Sequence, residues 1–392
     1  MPDSPHKSGD KLFFVYAVIA AQVIGGVITQ LSPLVIGGVI TGLTLSAQQA
    51  GYIAFAEFLV LSITAILVAP VLHRFPYRTI CFSAVCLAIT ANVVSVQVTA
   101  LTTMIIVRCL AGIGEGIIYA ISLAAVASHS RNPDKVYGYF QVAWALVSVI
   151  LFSAGGYLTD MYAHRGIFGL TAIVMIILVF FLRGLPSDKP ATVNSKPVAG
   201  NEIPTMLGIC TLAGIFIFIA GGAAVYTFFE QIGVRSGLTT TQVGFVLTVG
   251  SGVGIIGAGL ATWLNVRKGR FIPVTTFCIW YASTSMVLCL NSNATVYIVA
   301  VMSSFISFYF AVPYLFGLAA ALDKLGRLAA AAGSVYLLGF AFGPMIAGNL
   351  IEWHGYAGLG FASASTTMLS WLILIYIVYR LGTQKPAAVQ ND

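Results

Sequence analysis

The sequence predicts an all-α membrane protein: twelve transmembrane helices in two six-helix bundles. Three observations carry this. The chain of 392 residues is 59% hydrophobic and 8% charged, whereas a soluble domain carries about 25% charged residues. That leaves too little polar surface to cover a globule of this size. Apolar stretches recur at or near the roughly 20 residues a helix needs to cross a bilayer. Lysine and arginine gather on one side of those stretches.

The stretches fall at 12–38, 49–72, 78–98, 101–126, 136–158, 166–184, 205–229, 241–264, 272–291, 294–320, 328–351 and 358–380. The first follows a short polar start, MPDSPHKSGDK, and runs well past a signal-peptide core without a small-residue cleavage site. It reads as a retained span. The second, AGYIAFAEFLVLSITAI, holds one acid, Glu57. The fourth contains RCLAGIGEG (108–116). The sixth ends at LPSDKPATVNSKPVAGNEIP (185–204), rich in Pro, Lys, Ser and Asn. This is a solvated linker between a first bundle, 1–184, and a second, 205–392. The seventh ends in YTFFEQIGVRSG (226–237). The eighth carries GSGVGIIGAG (250–259), whose glycines inside a span serve close helix packing. Pro313 predicts a kink in the tenth.

Orientation follows from charge. Of 19 Lys and Arg, Arg108 lies within a segment and only Arg165 and Arg235 fall on one side. The other sixteen share the opposite side. The positive-inside rule places that side, with both termini and the linker, in the cytoplasm. The net charge of +7 suits loops facing anionic lipid, not nucleic acid. All six cysteines fall in apolar segments without CxxC or Cys/His spacing, so they are packing thiols and no metal site is expected.

The halves echo each other. The fifth segment ends GGYLTDMYAHRG (155–166) and the eleventh AGNLIEWHG (347–355). In each, a glycine is followed four residues later by an acid, Asp160 or Glu352, and then by His164 or His354. HRFPYR (73–78) after the second segment answers NVRKGR (265–270) after the eighth. Parallel six-helix repeats are a transporter signature.

On these features the chain resembles the major facilitator superfamily across nearly its whole length. RCLAGIGEG is similar to that family's fourth-helix motif, and ALDKLGRLAAAAGSVYLLGFAFGPMIAG (321–348) to its tenth-to-eleventh helix junction. The resemblance implies gating or loop-motif roles for His73, Arg74, Arg78, Arg267, Arg270, Asp323 and Arg327. His73 stands where the family's loop motif has aspartate, and Pro76 where it has glycine. The fifth segment also lacks the antiporter Gly-Pro motif, which speaks against export. The family's central cavity is lined by helices 1, 4, 7 and 10. The candidates for solute contact are Gln22, Gln30, Tyr119, Gln141, Trp144, Tyr226, Phe229, Phe305, Tyr309, Tyr314 and Tyr336.

RCLAGIGEG holds the chemistry. Arg108 and Glu115 are seven residues apart, almost two helical turns, and share a face that Tyr119 continues. A guanidinium at membrane depth costs about 2.5–3.5 kcal/mol, so it faces a cavity or a partner. Glu57 and Arg108 each lie about 10 Å in from the same side at helical rise, so Glu57 is the expected partner. Glu115 should lie about 10 Å deeper, with no cation on its own turn. The intervening glycines admit a neighbouring helix or a solute. Two readings stand: a pair that locks helices, or a proton-coupling and binding group of Glu57, Arg108 and Glu115. Glu230 either joins the cavity, if the helix breaks at Gly221–Gly222, or lies at the outer interface near Arg235.

No Walker loop, HExxH or GxSxG is present, so neither ATP-driven pumping nor enzymatic chemistry is expected, and no cofactor. The expected function is secondary transport of a small organic solute at the inner membrane by a monomer in the lipid bilayer. Proton symport of an organic anion or amphipathic metabolite leads. Proton-antiport efflux, an uncoupled facilitator, and a non-transporting receptor or assembly subunit are the alternatives.

Overall fold

In hydrocarbon every backbone N–H and C=O has to be bonded within its own segment, so apolar stretches of this length become helices. A computed structural model describes residues 12–130, 133–187, 205–264, 269–323 and 327–383. Its helices are α1 Leu12–Gln30, α2 Ser32–Leu43, α3 Ala47–Val68, α4 Tyr77–Ser95, α5 Leu101–His129, α6 Pro133–Tyr162, α7 His164–Leu178, α8 Thr205–Tyr226, α9 Phe229–Arg235, α10 Thr240–Leu264, α11 Phe271–Leu290, α12 Ala294–Leu322 and α13 Arg327–Thr383. Short 3-10 turns extend α3 and α7 to Arg74 and Gly184. Most of the expected linker, 188–204, lies outside the described residues, as do Arg267 and the side chains of His73, Gln141 and Arg327.

Local chemistry sets the ends. The first expected segment is interrupted at Leu31, where Pro33 occupies the first turn of α2 and supplies no N–H. Ser46 and Gln49 form a reciprocal capping box that starts α3. Asn293 accepts from Thr295 N and Val296 N to start α12. Among the described residues eleven helical stretches are long and apolar enough to span. The last, Ala331–Leu381, holds two spans. Gly355 takes a left-handed φ of 65° there, a conformation only glycine adopts cheaply. The chain reverses at that point. Gly339 and Gly343 meet Ile219 and Ala223 of α8, running parallel to it. Ser363 and Ser370 then donate to Gly221 O and Gly214 O, running antiparallel. Twelve spans result.

The halves meet most extensively through two helix pairs, α3 with α13 and α6 with α10. Both contacts lie towards the end of the bundle opposite the described chain ends. A methyl group on Gly348 would stand 2.5 Å from Ala47 O, and one on Gly51 would collide with Pro344 O. Likewise a methyl on Gly244 would stand 2.5 Å from Phe152 O and 2.8 Å from Gly156 Cα. Polar pairs flank the glycines. Gln48 Nε2 donates to Asn349 Oδ1 at 2.6 Å, Tyr52 Oη to the same oxygen at 3.2 Å, and Thr241 Oγ1 to Asp160 Oδ2 at 2.6 Å. The hydroxyls of Ser153 and Thr248 are 2.9 Å apart. The two contacts are repeats of one design: QQAGYI (48–53) and TQVGFV (241–246) align glycine on glycine.

Candidate functional site

Arg108 lies on α5 and its side chain turns into the interior of the first six spans. Nη2 donates to Glu57 Oε1 of α3. Nη1 donates to Asn92 Oδ1 at 3.1 Å and Ser95 Oγ at 3.3 Å, both on α4. The guanidinium lies 4.6 Å from the ring centre of Phe168 on α7. Glu57, Arg108 and Glu115 are each 0% exposed. The spacing therefore paired the right residues, and four helices close around them.

Glu115 departs from expectation. Two turns of separation along α5 do not isolate it, because the long Arg108 side chain runs back along the helix. Nη2 comes within 3.8 Å of Glu115 Oε1. The Glu115 carboxyl also has Glu57 and Asn92 as electrostatic neighbours. Yet neither of its oxygens, nor Glu57 Oε2, nor Arg108 Nε, has a hydrogen-bond partner within bonding geometry among the described residues. Two carboxyls thus share one guanidinium in a closed, incompletely bonded cluster.

The glycines of RCLAGIGEG serve helices and not a solute. A methyl on Gly112 would stand 2.5 Å from Glu57 O, and one on Gly116 2.5 Å from Leu61 O, both on α3. Gly114 does the same for Ala84 O of α4, at 2.6 Å. The close seat of α3 on α5 is what brings Glu57 to Arg108. The other side of α3 carries Gly51, Phe55 and Phe58 to the second half, with Phe55–Phe342 and Phe58–Phe340 ring centres 5.2 and 6.2 Å apart.

Tyr119 does not join the cluster. Its backbone lies against Gly25 of α1, and its side chain neighbours Gln22 and Tyr336. It belongs with the residues between the halves. Ser122 Oγ donates to Gln22 Oε1 at 2.5 Å, Gln30 Nε2 to Ser148 Oγ at 3.0 Å, and Tyr226 Oη to Gln30 O at 2.6 Å. Trp144 lies over Gly26. Phe229 and Phe305 pack on Tyr226, and Tyr309 and Tyr336 complete the group through Phe305 and Phe340. Tyr314 stands apart, stacked edge-on with Phe310 inside the second half, its hydroxyl directed at Ala261 O.

Glu230 lies at the expected outer end of the bundle, on one short helix with Arg235, but buried. α8 runs through Gly221–Gly222 and ends at Tyr226, so no break occurs at the glycines. Glu230 opens α9 and is 1% exposed. It accepts from Thr240 Oγ1 at 2.6 Å and Gln231 Nε2 at 2.8 Å, and presses on Gly37 of α2. Arg235 ignores it and donates instead to Cys289 O and Ser292 Oγ. Of the loop residues, Arg78 ties α4 to the end of the sixth span, its Nε donating to Leu185 O at 3.0 Å. Arg74 is exposed and Arg270 stands at the N-cap of α11. Asp323 accepts from Leu328 N at 3.1 Å, capping the start of α13.

Asn92, Ser95 and Phe168 were not anticipated. The available signal was polar residues three apart on one face of an otherwise apolar span. Gln48, Tyr52 and Asn349 were also missed.

The sequence profile of the Major Facilitator Superfamily matches residues 12–322. No curated protein sequence matches the chain. Solved structures do. A D-xylose-proton symporter is similar at TM-score 0.71 and 15% identity, over 91% of this chain and 97% of that one. A bacterial homologue of the human lysosomal transporter Spinster, inward-facing and unoccupied, is similar at 0.68 and 15%, over 96% and 98%. The nucleoside transporter NupG is similar at 0.72 and 11%, over 94% and 99%. At these identities the likeness is one of fold.

Proposed function

This chain belongs to the Major Facilitator Superfamily, and on that premise we propose that it moves a small solute across the cell membrane by alternating access, coupled to protons. The observation that carries the coupling is the closed cluster of Glu57, Arg108 and Glu115. Two carboxyls and one guanidinium, all without solvent access, leave one negative charge uncompensated. An unpaired buried ion costs several kcal/mol. Charge balance therefore asks for one proton on the carboxyl pair, and the unpartnered oxygens of Glu115 and Glu57 are where it fits.

Coupling to movement runs through α3. The same helix presents Glu57 to Arg108 on one side and Gly51 and Phe58 to the second half on the other. Loss of the proton adds repulsion between Glu57 and Glu115 and redirects Arg108, which shifts the seat of α3 on Gly112 and Gly116. The contact with α13 moves with it. Two arrangements of α3 with different proton affinity are what alternating access needs from a coupling device.

An anionic solute loses its main support. The guanidinium expected to anchor it is enclosed by α3, α4, α5 and α7 and does not reach the residues between the halves. Glu115→Gln, fixed neutral, should still exchange solute across vesicles at equal concentration but should accumulate none against a gradient. Accumulation by this variant at the wild-type level makes the cluster a helix lock and places the proton site elsewhere, with Glu230 next.

The lopsided lysines and arginines support an inner-membrane orientation with both described chain ends cytoplasmic. The glycine contacts then close the outer side. Reporter fusions at Lys196 and after the last residue should both report cytoplasm; a periplasmic signal from either reverses the orientation.

A further inference from the structure

The residues between the halves are equipped for a different kind of solute from the one the arginine suggested. Ring contacts, mostly edge-to-face, run in an unbroken series from Phe58 of the first half through Phe340 to Tyr336 and Tyr226, then through Phe305 to Tyr309. Tyr336 and Phe340 stack at 6.0 Å and 27°. Tyr119, Tyr281 and Tyr309 are among the neighbours of Tyr226 and Tyr336.

Hydrogen-bonding capacity is left open there. Tyr226 spends its proton on Gln30 O, and Gln22 and Gln30 are engaged by Ser122 and Ser148. The hydroxyls of Tyr309 and Tyr336 have no hydrogen-bond partner among the described residues, and both side chains are partly exposed, as are Tyr119, Trp144 and Gln30. A phenol both donates and accepts. Rings offer flat apolar area. The buried charges of the described residues are spent elsewhere: Glu57, Arg108 and Glu115 are closed inside the first half, and Glu230 is buried against Gly37.

We infer that the site formed by Tyr119, Tyr226, Tyr309, Tyr336, Gln30 and Trp144 binds an uncharged ring compound bearing hydroxyl groups. The ring lies on the aromatic faces and its hydroxyls bond the free phenols of Tyr309 and Tyr336. This assignment rests on the transport reading above and deepens it by naming the class of solute.

The test is binding by the purified full-length protein in detergent, with radiolabelled D-xylose and uridine as neutral probes and benzoate and choline as charged competitors. At least one neutral probe should bind, and neither competitor should displace it. Tyr309→Phe and Tyr336→Phe keep the rings and remove only the hydroxyls. Each should weaken binding by about tenfold, the upper range for one hydrogen bond. Displacement by benzoate or choline, no binding of either neutral probe, or unchanged affinity in both phenylalanine variants overturns the assignment. No gradient is present in this assay. An uncoupled transporter would still bind, so failure of proton coupling and failure of the solute class appear in separate experiments.

Discussion

Arg108→Leu should destabilise the protein by about 3–5 kcal/mol, the cost of leaving a buried ion without its partner. The leucine removes the donor to Glu57 Oε1, Asn92 Oδ1 and Ser95 Oγ together. Glu57 and Glu115 then face each other without a cation. Thermal melting in detergent reads the loss. Replacing an entire buried charge pair by groups of similar shape is often neutral. Glu57→Gln combined with Arg108→Leu should therefore recover most of the melting temperature. It should not recover accumulation of solute, because Glu115 then lacks the Arg108 charge that lets it release its proton. Wild-type melting of Arg108→Leu alone would show that the pair does not serve stability, and wild-type accumulation by the double variant would show that the cluster does not serve coupling.

Gly244→Val together with Gly348→Val should all but stop transport while leaving each half folded. Each valine places carbon where backbone stands, 2.5 Å from Phe152 O or from Ala47 O. Overpacking at a tight contact costs typically about 1–3 kcal/mol. The closed arrangement of that end should fall roughly tenfold or more per site. Cysteines at Ser153 and Thr248, whose hydroxyls lie 2.9 Å apart, report the closure by cross-linking. The cross-link should form readily in the parent and poorly in the valine variant. Equal cross-linking and equal uptake in both would mean that these glycines are not a gate.

Charge was the most legible feature of the sequence. An arginine and an acid in apolar helices have few places to go, and helical rise alone put Glu57 and Arg108 at one depth. Side-chain reach was not legible. Rise separates Glu115 from Arg108 along the axis, yet a guanidinium on a flexible stem spans the difference. Helical phase likewise placed Tyr119 on the face of Arg108. It says nothing of which neighbour crosses at each height, and at Tyr119 that neighbour is α1.

Asn92 and Ser95 were hidden for another reason. Each also bonds the carbonyl four residues back, Ala88 O and Ala91 O. Such residues are self-sufficient in a span and give no hint of a tertiary role. The break considered at Gly221–Gly222 does not occur, because paired glycines are stronger when packed than they look in sequence. Gly221 and Gly222 are held by Thr366 and Tyr281, and the helix ends only where Thr227 and Phe228 turn. The interface glycines were readable in part. The repeat around Gly156 and Gly348 was visible, but its mates Gly51 and Gly244 emerge only when the two halves are placed together.

The most direct test of proton coupling through Glu57, Arg108 and Glu115 is a pH-sensitive dye outside vesicles that hold the protein. A pulse of whichever neutral solute binds is added at zero pH gradient. Wild type should alkalinise the medium as solute and proton enter together, and Glu115→Gln should take up solute without moving the dye. Solute entry in wild type with no alkalinisation, or alkalinisation of equal size in Glu115→Gln, contradicts proton coupling at this cluster.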